Sequence, residues 1–297
     1  MSETFSADKP VNEEKDDKFQ RYKFSKRIAE TIVNRASIDS IVIGLYGAWG
    51  EGKTSVINFI KKELSFHQTH VIHFTFNPWR FTDETTLLRS FFDTLANELI
   101  ESVGEKKNIM KKNNIFIKGW KKVEAGFYEK KGNLKTNRET IGDIFKEYGK
   151  IIPGMGDVTD TIGSFLSNND IEKLKARIEK LLKENQKKVV IFIDDIDRLE
   201  KNEIHSIFRL VKLTGDFAYT TYVLSFDENM VASAIAERFG EGDQKAGLSF
   251  LEKIIQIPLK LPLAQKTALI TYCFELVEHS LQSSEIILTS EEEKEFL

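Results

Sequence analysis

The sequence predicts an α/β fold, and three observations carry that prediction. Ile41–Leu45 is an apolar run that leads into Gly47-x-x-x-x-Gly52-Lys53-Thr54, after which Val56, Phe59, Ile60 and Leu64 fall at helical spacing. That order is a strand, a phosphate-binding loop and a helix start. Val189–Ile193 is a run of five apolar residues ending in Asp194 and Asp195, as a strand buried on both faces requires. Between and after these stretches, apolar runs of strand length alternate with segments of helical period.

The chain has 297 residues, 41% hydrophobic and 30% charged, enough for one large or two ordinary domains with a substantial core. A net charge of −3 supplies no global attraction to nucleic acid or anionic lipid. The single Cys273 excludes an intrachain disulfide, fits a reducing compartment, and sits in an apolar helical stretch that reads as core. No apolar signal segment opens the chain, and no run reaches the ~18 to 20 apolar residues of a membrane-spanning helix. A cytoplasmic protein is the expectation, with peripheral attachment to the inner face of the membrane as an option.

Residues 1–18 are polar and charged and read as a disordered tail. Phe24, Ile28, Ile32 and Ala36 predict a helix before the first strand. Tyr22 and Phe24 are candidates to touch a nucleotide base, with plain packing as the alternative. His70–Phe76 is a second strand, stopped at Pro78, which has no N–H to give. Asn77 and Arg80 then lie at a strand's carboxyl end, where open α/β sheets hold ligands, and are candidates for phosphate or supporting contacts. Leu87, Leu88, Phe91, Phe92, Leu95 and Leu99 predict a helix.

Residues 101–170 read as a helical insertion. Between Glu101 and Lys135, ten lysines stand against four glutamates, a local charge of +6. Phe116, Trp120, Val123 and Phe127 share a helical face while Lys118, Lys121 and Lys122 point elsewhere. Residues 105–135 can therefore meet an anionic membrane or a protein partner, or pack their apolar face on the domain with the lysines in solvent. Ile171, Leu174, Ile178, Leu181 and Leu182 predict a further helix, as do Ile204, Ile207, Phe208 and Val211. Thr220–Asp227 is a strand whose Ser225 and Asp227 are candidates to sense a γ-phosphate, a strand-ending turn being the alternative. Ile254–Leu259 reads as a last strand, bounded by Pro258 and Pro262. Residues 266–297 read as the start of a helical C-terminal region. Ser290 and Glu293 form a capping box for a helix from about Glu291, and the stop soon after suggests that the sequence continues.

The chemistry concentrates in the loop Gly47, Ala48, Trp49, Gly50, Glu51, Gly52, Lys53, Thr54 and Ser55. Phosphate binding turns successive N–H groups into one concavity, which needs positive φ and close main-chain approach, both open to glycine. The helix start adds its partial positive charge. Lys53 is placed to reach the β- and γ-phosphates of ATP, and the Thr54 hydroxyl to ligate Mg²⁺. Asp194 is the second metal candidate, and Asp195 the residue to orient or deprotonate water.

Gly47–Thr54, Phe76-Asn-Pro-Trp-Arg80, Ile193-Asp-Asp-Ile-Asp-Arg198 and Leu251-Glu-Lys-Ile-Ile-Gln-Ile-Pro258 together resemble the KAP family of P-loop NTPases, over about residues 19–265. The resemblance implies a P-loop NTPase with a parallel sheet flanked by helices and an additional strand between the P-loop and acidic strands. It implies Mg-dependent ATP hydrolysis driving a conformational switch or assembly, often at membranes and in several prokaryotic members linked to phage exclusion. Lys53 and Thr54 match its phosphate and Mg²⁺ positions, and Asp194 and Asp195 its Mg²⁺ and water positions. Asp197 and Arg198 match the acidic motif without a defined role. Lys253 matches a late lysine for which a γ-phosphate contact within or between subunits is conceivable. The partners this reading allows are ATP, a second copy of the chain, and a membrane or protein met by residues 105–135. A nucleotide-gated scaffold with negligible hydrolysis is the alternative. A nucleic-acid motor ranks lower, because no helicase-like second motif set accompanies the loop.

Overall fold

The computed structural model describes residues 9–80, most of 84–102, and 168–284 apart from 215 and 240–242. Five strands form one sheet: β1 Ile41–Tyr46, β2 Val71–Thr75, β3 Lys188–Ile193, β4 Thr220–Phe226 and β5 Ile257–Lys260. They run in the order β2-β3-β4-β1-β5, and all four pairings are parallel. The loop-bearing β1 and the acidic β3 are thus separated by β4, the additional strand that the resemblance implies. The helices are α1 Tyr22–Asn34, α2 Lys53–Ser65, α3 Asn168–Glu184, α4 Lys201–Thr214, α5 Glu228–Phe239, α6 Gln244–Ile254 and α7 Lys266–Ser283. The described residues between 84 and 102 are helical as well.

β3 shows why its sequence is apolar without interruption. Val189, Ile191 and Ile193 enter one core with Phe91, Phe92, Phe208 and Leu251, whereas Val190 and Phe192 enter another with Ile28, Ile32, Val56 and Ile60. The side-chain period of 2 splits one run between both faces of the sheet. Helices α1 and α2 cover one face; α4, α5 and the helical residues 87–99 cover the other. In this arrangement every strand's carboxyl end opens on the same rim, where β1 and β3 deliver their polar residues.

Several expectations are corrected. Ile254–Leu259 is not one strand. Ile254 ends α6, and β5 begins at Ile257, since the apolar run from Phe250 onward serves first a helical face and then an edge strand. Pro258 lies inside β5 opposite Gly44, tolerated because β5 is the edge strand among the described residues and pairs there with β1 alone. Residues 9–18, expected to be disordered, run along α2. Val11 N–H donates to Ser55 Oγ at 3.0 Å, and Lys62 pairs with Glu13. Lys18 pairs with Glu275 of α7 at 2.7 Å, so charges that suggested disorder meet partners on the folded domain. Cys273 is exposed rather than core, since no residue of α7 is buried among the described residues. Among the described residues, no helix is long and apolar enough to cross a membrane. The expectations for residues 105–135, the rest of the insertion up to 167, and Ser290–Glu293 lie outside the described residues.

Helices α5 and α6 have no counterpart in the sequence reading. They approach so closely that a Cβ on Gly247 would stand 1.9 Å from the Ala232 carbonyl oxygen. Backbone cannot yield as a flexible side chain would. Gly247→Ala should therefore cost at least the ~1–3 kcal/mol typical of overpacking, read as a lower urea midpoint. An unchanged midpoint would mean that the two helices separate freely.

Candidate functional site

The loop after β1 is anchored at its first residue, where Gly47 N–H donates to Phe226 O of β4 at 3.3 Å. Gly50 and Gly52 adopt φ of +81° and +83°, the left-handed region in which a side chain is strained. Gly52 is also the cap of α2, so the helix axis starts within the loop. Glu51 closes the turn from inside, its Oε2 accepting the Ala48 N–H at 2.8 Å. Trp49 stands in solvent, 73% exposed. Ser55 faces the N-terminal segment through Val11.

Lys53 is 6% exposed and donates to Gly47 O at 2.9 Å and Ala48 O at 3.2 Å, with Asp197 Oδ2 at 3.5 Å. Thr54 Oγ1 donates to Asp194 Oδ2 at 2.8 Å, so the loop and the acidic strand meet directly. The other Asp194 oxygen accepts the Asp195 N–H at 2.9 Å. β3 stops at Ile193, which puts both aspartates beyond the strand. Their divergence comes from the turn rather than from strand alternation: Asp195 has φ +58° and ψ +34° and caps the short 3-10 turn Ile196–Arg198. Arg198 Nη2 then meets Asp195 Oδ1 at 2.9 Å. Burial, reinforced by the neighbouring Asp194 charge, holds the Asp195 carboxyl above its ordinary range, against the pull of Arg198. Asp197 is buried, and its Oδ1 has no hydrogen-bond partner among the described residues.

These groups fit the ligands that the loop composition suggests. A hydroxyl and a carboxylate in contact are hard oxygen donors of the kind Mg²⁺ takes. The loop amides, the α2 start and Lys53 supply a concentrated positive field for phosphates. Lys61 adds to the same end of the sheet. Its ammonium donates to Thr75 Oγ1 at 2.7 Å and lies over the Phe192 ring, while burial pushes its pKa down against the pull of Asp194.

Other candidates fall elsewhere. Asn77 Oδ1 accepts the Trp79 N–H at 3.1 Å, closing a local turn. Arg80 ends a 3-10 turn, its side chain outside the description. Ser225 is wholly buried on β4 opposite Leu45, with no partner for its hydroxyl among the described residues. Asp227 Oδ1 accepts the N–H groups of Asn229 and Met230 and so caps α5, the strand-ending alternative weighed for it. Lys253 is exposed in the last turn of α6, just ahead of β5. Tyr22 donates to Glu63 and meets Phe59 edge to face, and Phe24 packs against the core under α1, so both are used on packing. Sequence reasoning passed over their neighbour Arg21, which is 7% exposed and lies against Gly52. A lone arginine outside any pattern gives no signal, because its meaning depends on what buries it.

The profile of the KAP family P-loop domain matches residues 21–294, and the chain belongs to that family. It is 25% identical over 264 residues to the phage T7 exclusion protein of Escherichia coli strain K12, covering 86% of this chain and 34% of that protein. The chain thus spans about a third of that relative. Solved structures with similarity include the Aeropyrum pernix ORC2 protein in ADPNP–ADP complexes, at 12% identity and a TM-score of 0.42 over 93% of this chain and 55% of that one. AMPPCP-bound DnaA from Aquifex aeolicus aligns at 14% identity and a TM-score of 0.29, over 92% and 55% of the two chains.

Proposed function

We propose that this domain binds Mg-ATP at residues 47–55 and hydrolyses it to drive a conformational switch or an assembly step. The observation that carries the reading is the 2.8 Å contact between Thr54 Oγ1 and Asp194 Oδ2. It joins the phosphate loop to the acidic strand at one point, as a shared metal site needs. Thr54 and Asp194 would hold Mg²⁺, which when bound neutralises developing charge on the phosphates. Lys53, already directed inward from the first turn of α2, would meet the β- and γ-oxygens. Asp195 would take the proton of the attacking water, a task suited to a carboxyl held above its ordinary range. Arg198 would keep that carboxylate aimed.

The reading extends to a cytoplasmic protein able to assemble with copies of itself and, through residues 105–135, to meet a membrane or protein partner. The name of its relative, a phage T7 exclusion protein, suggests a role in excluding phage. The 2.9 Å pair between Asp195 and Arg198 also admits a second reading, a scaffold with negligible turnover, in which it withholds the carboxylate from water instead of aiming it.

Phosphate release by the purified protein with Mg-ATP separates the two. The pH profile adds a signature of the base. Asp195 works deprotonated and its pKa is raised, so activity should be full at neutral pH and fall as the pH drops, with its midpoint above that of an ordinary aspartate. Asp195→Glu should shift that acid limb. A profile that does not move would take the proton-acceptor role from Asp195, and no release at any pH would favour the scaffold.

A further inference from the structure

Arg21 presents a buried charge that the fold leaves unanswered. The residue is 7% exposed, and its Nε has no hydrogen-bond partner among the described residues. Two carboxylates, Glu51 and Asp17, are close enough to be felt, yet neither pairs with it. Each is engaged with backbone amides, Glu51 through one oxygen and Asp17 through both. Glu51 takes the Ala48 N–H at 2.8 Å, and Asp17 takes those of Phe19 at 3.3 Å and Tyr22 at 2.8 Å. What holds the guanidinium is apolar: its carbon lies 5.7 Å from the centre of the Phe19 ring. An arginine kept as a structural brace would use its five donors on nearby oxygens. A buried guanidinium whose donors meet no oxygen directly is costly and calls for a ligand.

Position names that ligand. Arg21 Nη1 is 2.6 Å from where a Cβ of Gly52 would be, so the guanidinium occupies the space that this glycine leaves at the cap of the 13-residue α2. Ser55 Oγ lies 4.0 Å from the same point. Gly52 and Ser55 share one side of the helix start, three residues apart, and Lys53 and Thr54 lie round the other. The second side faces the acidic turn, Lys53 toward Asp197 and Thr54 toward Asp194. Arg21 therefore approaches the loop from the side away from the γ-phosphate chemistry.

We propose that Arg21 is a nucleotide-binding residue whose guanidinium fork takes the phosphate nearest the nucleoside, opposite Lys53 across the start of α2. The inference rests on the nucleotide reading of the loop. It explains why the guanidinium lies where a Gly52 side chain would stand and why the helix α1 begins against the loop. Because ADP and ATP share that phosphate, removing the fork should weaken both alike.

The test measures Mg-ADP and Mg-ATP affinity by calorimetry, and melting with and without each nucleotide, for the wild type and Arg21→Met. Methionine keeps the stem and removes the charge. Expected are equal losses for the two nucleotides, ~10-fold or more, with nucleotide-free melting unchanged or raised. Unchanged affinities, a loss confined to ATP, or lower nucleotide-free melting with an undiminished nucleotide-induced rise would each overturn the assignment. Should Arg21→Met not fold, Arg21→Lys gives the same reading, a smaller equal loss supporting the proposal and none overturning it. A wild type that binds neither nucleotide removes the loop reading and this one with it. A wild type that binds beside a variant that binds equally removes Arg21 alone.

Discussion

Lys53→Ala should lose Mg-ATP affinity by ~100-fold or more, since charge-assisted bonds to phosphate contribute roughly 1.5–3 kcal/mol each and this ammonium is aimed at two phosphate groups. Phosphate release should vanish with binding, and any phage exclusion by the protein, scored as plaque counts, should vanish too. Lys53 is also one end of a buried contact with Asp197, at 3.5 Å with the two side chains 6% and 3% exposed. Its removal leaves that carboxylate without a cation, so the variant should unfold at somewhat lower temperature, by ~1–3 kcal/mol of lost stability. Lys53→Met, which keeps most of the volume, should show the same loss of affinity. The two effects are read separately, affinity by calorimetry and stability by melting without nucleotide. ATP bound by the variant as tightly as by the wild type would remove the phosphate loop from the site.

What could be read from the residues follows the range of the forces that act on them. The loop was legible because its requirements are local: Gly50 and Gly52 at positive φ, Lys53 and Thr54 at the helix start. β3 was legible because double burial imposes an unbroken apolar run. Helices α5 and α6 were not. Their contact is built on Gly247 and Ala232, small residues that let backbones approach but raise no hydrophobic contrast. A signal was nonetheless present in Asp227, a capping residue ahead of Val231 and Ile235, which was weighed as a phosphate sensor instead. The run from Phe250 to Leu259 fits periods of 3.6 and 2 in turn, so its division at Ile255 and Gln256 is set by pairing with β1 and not by composition. Arg21 was illegible for another reason: only tertiary packing shows that its neighbouring carboxylates are already engaged.

The two aspartates should part company on substitution. Asp194 uses both oxygens, one for Thr54 and one for the Asp195 amide, whereas among the described residues the Asp195 side chain pairs with the half-exposed Arg198 alone. An asparagine at 194 has a single carbonyl oxygen for two donors and no charge for a cation. Asp194→Asn should therefore weaken Mg-dependent nucleotide binding and stop turnover. Asp195 sits at φ +58°, a conformation that asparagine adopts as readily as aspartate, so Asp195→Asn should keep the backbone. Losing its surface-facing pair costs little stability. A neutral amide cannot accept a proton, and turnover should fall by ~10²–10⁴-fold while Mg-ATP affinity stays near that of the wild type. The Asp195→Asn protein should then collect in the ATP-bound state, visible as ATP retained through gel filtration. Mg-ATP affinity and turnover measured for both variants decide the assignment. Affinity lost on Asp195→Asn and kept on Asp194→Asn would exchange the two roles, and normal turnover in both would place hydrolysis away from this turn.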